Sequence, residues 1–177
     1  SLHDALPIWD SLVRAMKALG YSEQELFDGG LVRHGRSGGV YDTFRNRLMF
    51  PVIDVRGNVI GFSGRILGDG EPKYMNSPET IVFSKSHNLF ALNLAKKSKC
   101  GYIILAEGNI DVASLHQAGF DSAVASLGTS LTPEQARLLS RYTSEIVIAY
   151  DNDGAGQKAS QRAIGILEKL EVRVRVL

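Results

Sequence analysis

The chain has 177 residues, of which 44% are hydrophobic, and its formal net charge is +1. This composition is typical of a folded, soluble protein of one or two small domains, and it excludes a disordered chain and a membrane protein. The single cysteine, Cys100, excludes an internal disulfide and a multi-cysteine zinc site, and it favours a reducing, cytoplasmic compartment.

The small net charge hides a difference between the two halves of the chain. Residues 31–99 contain 11 Lys/Arg and 5 Asp/Glu, a net charge of +6, whereas residues 101–177 contain 7 basic and 9 acidic residues, a net charge of −2. Such a division suggests that a polyanion is held by the first half and a metal ion by the second. On composition alone, chance variation in surface charge explains it equally well.

The first half of the chain predicts two short helices and a β-hairpin. An amphipathic spacing of apolar residues marks the first helix and a capping-box pattern the second, at residues 10–19 and 22–29. Two segments rich in β-forming residues flank a glycine-containing turn and predict hairpin strands at 49–55 and 59–63. Further along, Asn88 is placed to cap a helix that runs to about residue 97.

In the second half, strand and helix patterns alternate. Apolar segments of strand length occupy residues 102–106, 122–126, 145–150 and 172–177. The predicted helices between them cover residues 110–118, the segment that follows an N-cap at Thr132, and residues 156–170. Because the strands are apolar on both faces, the pattern predicts a parallel sheet flanked by helices. The predicted fold class is therefore mixed α/β, with a basic α+β subdomain at 1–99 and a parallel-sheet module at 100–177.

Acidic side chains follow two of the predicted strands. Glu107 comes directly after the first, with Asp111 four residues on, and Asp151 and Asp153 follow the third. Functional groups gather beyond the carboxyl ends of strands in open parallel sheets, so these acids converge on one crevice if the two strands are neighbours. Crowded carboxylates need a cation, and all-oxygen ligands prefer Mg²⁺ or Mn²⁺. Such a site suits phosphoryl transfer.

The same acids allow other interpretations. A lone Glu at a strand end is usually a solvated surface residue, and an isolated Asp-x-Asp is common. Residues 151–156 imitate the start of an EF-hand loop, but Ala155 and Arg162 stand where that loop needs calcium ligands. An aspartyl-phosphate hydrolase also uses Asp-x-Asp after a strand, normally with Thr or Val where Ala155 stands.

Several motifs resemble those of DnaG-type DNA primases, in order and at similar spacing. Those of the second half resemble the primase TOPRIM module: Glu107-Gly-Asn-Ile-Asp111-Val, Ala125-Ser-Leu-Gly-Thr129 and Tyr150-Asp-Asn-Asp-Gly-Ala-Gly156. Those of the first half resemble the primase core that precedes this module: Phe44-Arg-Asn-Arg-Leu-Met-Phe-Pro-Val-Ile-Asp54, Gly61-Phe-Ser-Gly-Arg65 and Pro72-Lys-Tyr-Met-Asn-Ser-Pro-Glu-Thr80. Topoisomerases, some nucleases and recombination mediators share the TOPRIM module, but topoisomerases and recombination mediators do not resemble the first-half segment.

The resemblance implies synthesis of short RNA primers on a single-stranded DNA template from ribonucleoside triphosphates. Asp151 and Asp153 would hold Mg²⁺ (or Mn²⁺), Glu107 would ligate metal or act as general base, and Asp111 would complete the acidic cluster. Candidate contacts to nucleic acid and nucleotide are the basic residues of the upstream motifs and one aromatic residue: Arg45, Arg47, Arg65, Lys73 and Tyr74. The alternatives are another TOPRIM enzyme, a nuclease or topoisomerase, and a non-catalytic TOPRIM module that binds DNA.

The chain also departs from the family pattern. It has no zinc-binding domain, residues 1–8 do not resemble the family, and Asn109 stands where an aromatic residue is usual. Family members continue beyond Leu177 into another acidic pair and a region that binds the replicative helicase. We therefore expect a fragment of the catalytic core that makes little primer by itself.

Overall fold

The computed structural model describes residues 9–35, 38–128 and 130–177. Residues 1–8, and Thr129 of the Ala125–Thr129 motif, lie outside the described residues. The chain divides into two compact units, the first made of Ser1–Pro51 and Gly61–Phe83, the second of Val52–Ile60 and Ser84–Leu177. Compact units and domains need not coincide, so the domain boundary at residue 99 stays a prediction.

The described residues of the first part of the chain form two short helices and five strands. The helices are α1 (Ser11–Ala18) and α2 (Glu23–Asp28), which confirm the two that the sequence predicts. The strands are β1 (Val32–His34), β2 (Val40–Asp42), β3 (Arg47–Ile53), β4 (Val59–Ile66) and β5 (Tyr74–Asn76). Strands β1 and β2 pair antiparallel, and the other three form a sheet in the order β3-β4-β5. The predicted hairpin is therefore confirmed as β3 and β4. The sequence did not predict β1, β2 and β5, because strands of three residues are too short to show a recognisable alternation of apolar and polar residues.

The first unit depends on a helix cap that comes from a distant residue. Asp10, at the N-cap of α1, makes no side-chain capping bond. The buried carboxylate of Asp42 instead accepts hydrogen bonds from the backbone N–H groups of Leu12 (2.8 Å) and Val13 (3.0 Å). An ionised acceptor makes these bonds stronger than neutral ones, and it satisfies donors that a helix start leaves unpaired. This contact fixes α1 against β2.

The second unit is built on a four-stranded parallel sheet. Its strands are β6 (Ile103–Ala106), β7 (Ala123–Ala125), β8 (Glu145–Ala149) and β9 (Arg173–Val176), in the order β7-β6-β8-β9. Helices connect them: α4 (Asn109–Gln117), α5 (Pro133–Leu139) and α6 (Gly154–Leu167), with a 3₁₀ turn at Glu168–Leu170. All of these pairings are parallel, so the predicted mixed α/β fold class is confirmed.

Alternate residues of the buried strands pack on opposite faces of this sheet. On one face Leu105, Val124 and Ile148 pack with residues of α5 and α6. On the other face Ile104 and Val147 belong to a second cluster that includes residues of α4. Two-sided burial explains why these strands are continuously apolar in sequence. None of the helices in the described ranges has the length and apolarity that crossing a membrane requires.

The helix predicted from Asn88 to about residue 97 is confirmed only in part, since its cap and its length are wrong. The structure has only the short helix α3 (Leu92–Ala95), which follows Ala91 in a left-handed conformation with φ of 63°. The Asn88 side chain donates to the Ser84 carbonyl oxygen (2.8 Å) and caps no helix. The buried amide of Gln135 on α5 donates to the carbonyl oxygens of Lys85 (2.9 Å) and Asn88 (2.8 Å). These tertiary hydrogen bonds hold the segment in an irregular conformation that local capping preferences do not reveal.

The connection from β8 to α6 is very tight. A Cβ atom added to Gly156 would lie 2.0 Å from the carbonyl oxygen of Asp151, which no side chain tolerates without a backbone shift. Asp153 is the N-cap of α6, and its Oδ1 accepts from the N–H groups of Ala155 (2.9 Å) and Gly156 (2.8 Å). The glycine lets the backbone turn back on itself directly after the strand.

We predict that Gly156→Ala lowers the free energy of unfolding by about 1–3 kcal/mol, because the added methyl group forces the connection apart. Gly154→Ala is the matched control, since nothing lies within 4 Å of a Cβ atom added there. In a helix that control should be neutral or raise stability by up to about 1 kcal/mol. Urea denaturation measures both, and equal stability of the two variants would contradict the close approach.

Candidate metal centre and nucleic-acid interface

The acidic residues lie at the point where the strand order of the parallel sheet reverses. From β6 the chain moves to β7 on one side and then crosses to β8 on the other, so β6 and β8 are neighbours. Their register pairs Ala106 with Ala149 at the carboxyl ends. Glu107 directly follows one of these residues, and Asp151 lies two positions after the other. Open α/β sheets form their ligand crevices at such a point. The sequence argument required these two strands to be neighbours, and they are.

Glu107 and Asp151 are in direct contact across the two strand ends. The backbone N–H of Asp151 donates to Oε2 of Glu107 at 3.3 Å. Both residues are exposed. The contact holds the first acid beside the backbone that carries the second, and it uses only one of the two carboxylate oxygens of Glu107.

The other two predicted acids make local structural contacts. Asp153 caps α6 through Oδ1, as described above. Asp111 lies in the first turn of α4, and its Oδ2 accepts from the N–H of Gly108 at 2.9 Å. Each acid therefore fixes the start of the helix that follows its strand. Carboxylates are favourable at helix N-termini because the helix dipole is positive there.

The donor chemistry of this edge fits a hard divalent cation. Glu107, Asp151 and Asp153 offer exposed carboxylate oxygens, the ligands that Mg²⁺ and Mn²⁺ prefer. Within the part of the chain that the structure describes, however, no three His, Cys, Asp or Glu side chains form a group that could hold a metal ion. Side-chain rotation must bring three acids together, and the shared site of Glu107, Asp151 and Asp153 stays a prediction.

Tyr150, between β8 and Asp151, was not predicted as a site residue. Its hydroxyl oxygen is buried and has no hydrogen-bond partner among the described residues. Burial, together with the nearby negative charge of Glu107, raises the pKa of Tyr150 to about 12. The hydroxyl therefore remains protonated at neutral pH. In the sequence, Tyr150 stands at the end of an apolar strand, a position typical of a core residue, so no pattern indicated that its hydroxyl would be a functional group.

Arg45 is part of an aromatic stack in the first unit. Its guanidinium carbon lies 4.3 Å from the ring centre of Trp9 and 4.8 Å from that of Tyr41. The guanidinium also donates to the backbone carbonyl of Asp42. Trp9 remains 62% exposed, so one of its surfaces is open to a ligand. Sequence reasoning missed both aromatic residues, because no spacing connects positions 9, 41 and 45.

Arg47 is occupied by backbone contacts. One of its terminal nitrogens donates to the carbonyl oxygens of Gly64 (3.1 Å) and Pro72 (2.9 Å). Burial, and to a smaller extent the charge of Arg45, lowers the pKa of Arg47. Its clearest role is to fix the connection between β4 and β5.

Arg65 and Tyr74 lie on the paired strands β4 and β5, and Lys73 comes directly before β5. Arg65 is opposite Tyr74 in the antiparallel register, and its guanidinium carbon lies 5.8 Å from the centre of the tyrosine ring. Lys73 precedes Tyr74, and both side chains are exposed. The structure thus brings the Arg65 cation beside the Tyr74 ring, a combination that suits phosphates and bases, and contact of these residues with nucleic acid stays a prediction.

Comparison with known proteins identifies the family. The model of the DNA primase catalytic core, N-terminal domain, matches residues 4–96, and that of the Toprim domain matches residues 101–177. The chain belongs to the DnaG-type DNA primase family. Both matches agree with the resemblance seen in the sequence motifs.

Individual relatives give the same result. The chain is 50% identical over 170 residues to the DNA primase of Clostridium acetobutylicum and 44% identical over 171 residues to that of Deinococcus radiodurans. These alignments cover 96% and 94% of the chain but only 28% and 30% of the relatives. The chain therefore spans less than a third of the length of these DNA primases.

Solved primase structures share the fold. A DNA primase domain from Pseudomonas aeruginosa superimposes with a TM-score of 0.87 and 40% sequence identity, covering 97% of this chain and 55% of that one. A DnaG primase catalytic domain bound to single-stranded DNA gives a TM-score of 0.85 and 39% sequence identity, again covering 97% of this chain and 55% of that one.

Two substitutions of Asp153 can distinguish its role as a helix cap from its predicted role as a metal ligand. We predict that Asp153→Ala lowers the free energy of unfolding in EDTA by about 1 kcal/mol, whereas Asp153→Asn leaves it unchanged because Asn caps as well as Asp. Both changes remove a charged ligand, so both should reduce the stabilisation that Mn²⁺ confers on the wild type. Thermal denaturation in EDTA and in Mn²⁺ measures both effects. A full Mn²⁺-dependent stabilisation of Asp153→Asn would remove Asp153 from the ligand set.

Proposed function

We propose that the chain is part of the catalytic core of a DNA primase, which makes RNA primers on single-stranded DNA by nucleotidyl transfer. The observation that carries this proposal is the contact of Glu107 with Asp151 at the carboxyl ends of two adjacent parallel strands. Membership of the primase family supports it, since the chain matches both primase regions. A nuclease or topoisomerase has no comparable support, because the upstream match is to the primase core.

In this proposal Glu107, Asp151 and Asp153 hold Mg²⁺ or Mn²⁺. The bound ion would neutralise phosphate charge as a ribonucleotide is joined to the primer 3′-hydroxyl. The oxygen of Glu107 that the Asp151 amide does not occupy is free to bind the ion or to accept a proton from that hydroxyl. Asp111 acts as a positioning residue, because its bond to the Gly108 amide fixes the backbone directly after Glu107.

The basic surface of the first unit would hold the DNA template. Arg65 and Lys73 supply charge for phosphates, and Tyr74 supplies a ring on which a base can stack. The exposed surface of the Trp9 ring, whose position the contact with Arg45 fixes, offers a second stacking surface. Support comes from the relative whose structure is that of a DnaG primase catalytic domain bound to single-stranded DNA. Ribonucleoside triphosphates and the RNA primer would be the other partners, in the cytoplasm, with a replicative helicase contacted outside this chain.

The first test of this function measures whether a substitution in the acidic cluster weakens metal binding. Asp151→Asn keeps the size of the side chain but removes a charged ligand, so we expect the Mn²⁺ affinity of the chain to fall by roughly tenfold or more. Isothermal titration calorimetry at matched pH and salt measures this. Asp121→Asn is the control, because Asp121 is an exposed acid of the same unit that contacts Ser98 and lies outside the cluster. Equal affinity in wild type and Asp151→Asn would refute the metal site.

Activity is best assayed in a chimaera, because the chain covers 28% of the Clostridium acetobutylicum primase. Replacing the matched segment of that enzyme with this chain should preserve Mg²⁺-dependent primer synthesis on single-stranded DNA. The same chimaera carrying Asp151→Asn should make no primer. A chimaera that folds, binds DNA and yet makes no primer without the substitution would contradict the proposed function.

The template surface has its own test. Replacing Arg65 and Lys73 together with Ala should weaken single-stranded DNA binding and lower the slope of log K against log salt by about 1.4, since each single-strand phosphate contact contributes about 0.7. Fluorescence anisotropy over a range of salt concentrations measures the slope. The matched control is Arg14→Ala with Lys17→Ala, which removes two exposed charges from α1. An equal loss in both double variants would mean that only overall charge matters.

A further inference from the structure

A cavity of about 330 Å³ lies at the carboxyl edge of the parallel sheet in the second unit. Its walls come from the residues that follow three strands and from one face of α6. Among the residues that line it are Glu107, Ser130, Tyr150, Ala159 and Arg162. Ala159 and Arg162 are three positions apart on a helix, so they share the face that borders the cavity. Of these residues, only Glu107 has a role in the acidic cluster.

The cavity contains hydrogen-bond donors that the protein itself does not use. The Tyr150 hydroxyl is buried without a partner among the described residues, and such groups in folded proteins call for an explanation. Arg162 has one hydrogen bond, from Nε to the Lys158 carbonyl at 3.3 Å, and pairs with no carboxylate in the described ranges. An arginine has five N–H donors in a planar fork, so most of them remain available.

These donors select the chemistry of the ligand. Arginine offers only donors, and the hydroxyls of Tyr150 and Ser130 can donate as well, so the complementary group is rich in acceptors and carries negative charge. The planar guanidinium matches a phosphate through two parallel hydrogen bonds. Ala159 adds a small apolar wall that leaves the space open. Glu107 is the one carboxylate among the described lining residues, and its charge opposes an anion when no cation is present.

We propose that this cavity binds a phosphate group, which the guanidinium of Arg162 and the hydroxyl of Tyr150 hold, with Ser130 at the rim. The proposal rests on the proposed function, because the phosphate would belong to a nucleotide or nucleic-acid strand of the same reaction. It deepens that function by placing one phosphate beside Glu107, within the second unit. Asp151 does not line the cavity.

The test titrates the full chain with inorganic phosphate in EDTA and follows backbone amide shifts by NMR. We expect saturable shifts at Ser130 and Ala159, and a dissociation constant that rises roughly fivefold or more in Arg162→Gln. Arg141→Gln, which removes an exposed arginine after α5, should leave the constant unchanged. Glu107→Gln should tighten binding, because it removes the one opposing charge.

Tyr150→Phe is the second variant, because it separates an effect on phosphate binding from an effect on folding. It removes a hydroxyl that has no partner within the described residues, so thermal stability should not fall. Phosphate affinity should nevertheless decrease roughly threefold. A variant that loses stability but keeps its phosphate affinity would show that the hydroxyl serves the fold and would overturn its assignment here.

Two further probes distinguish the sources of the phosphate. ATP and a short single-stranded DNA without terminal phosphates are titrated in EDTA into wild type and Arg162→Gln. If Arg162→Gln weakens the affinity for ATP alone, the bound group is a nucleotide phosphate. If it weakens the affinity for the DNA, the bound group is a phosphate of the strand backbone. Equal affinity of both proteins for all three probes would overturn the proposal, and so would weaker phosphate binding in Glu107→Gln.

The cavity and the primase function can fail separately. Asp151→Asn should not weaken phosphate binding in EDTA, because it removes a negative charge beside Glu107, although it should abolish primer synthesis in the chimaera. If the wild-type chimaera makes no primer while phosphate binding still depends on Arg162, the proposed function fails and the cavity assignment stands. If primer synthesis is normal and Arg162→Gln binds phosphate as wild type does, the cavity assignment fails alone.

Discussion

The parallel pairing of β6 with β8 is the constraint on which the candidate site depends. Their register places Ala106 beside Ala149, so the residues that follow both strands emerge at the same edge of the sheet. Glu107 and Asp151 meet there only because β7 lies on the far side of β6 and leaves the β6–β8 boundary open. A different strand order with the same strands would have separated the two acids.

The acids at this edge also build the backbone that presents them. Asp153 caps α6 and Asp111 holds the amide of Gly108, so each contributes to the turn beside the candidate cluster. Gly156 completes the arrangement, since any larger residue would collide with the carbonyl of Asp151. A carboxylate that accepts backbone N–H groups is held in one orientation. Structural and chemical roles therefore coincide in the same side chains.

The first unit uses its arginines unequally. Arg47 donates to backbone carbonyls, and Arg45 lies against two aromatic rings, so part of the basic character of this segment supports the fold. Among the described residues, Arg65 and Lys73 make no comparable set of backbone contacts, and Arg65 lies beside the Tyr74 ring. The net charge of a segment thus overstates the number of cations available to a polyanion, because some of them serve structure first.

The sequence by itself determined the alternating β/α pattern of the second half, the family, and the acids that follow β6 and β8. Each of these depends on local periodicity or on short motifs, which are visible along the chain. Tertiary structure alone decided that β6 and β8 are neighbours and that Asp42 caps α1 from thirty residues away. It also decided that Gln135 holds the segment around Asn88 in an irregular conformation, and that the Tyr150 hydroxyl has no partner among the described residues. These features follow from contacts between residues distant in sequence, and no local pattern encodes which distant group a side chain will meet.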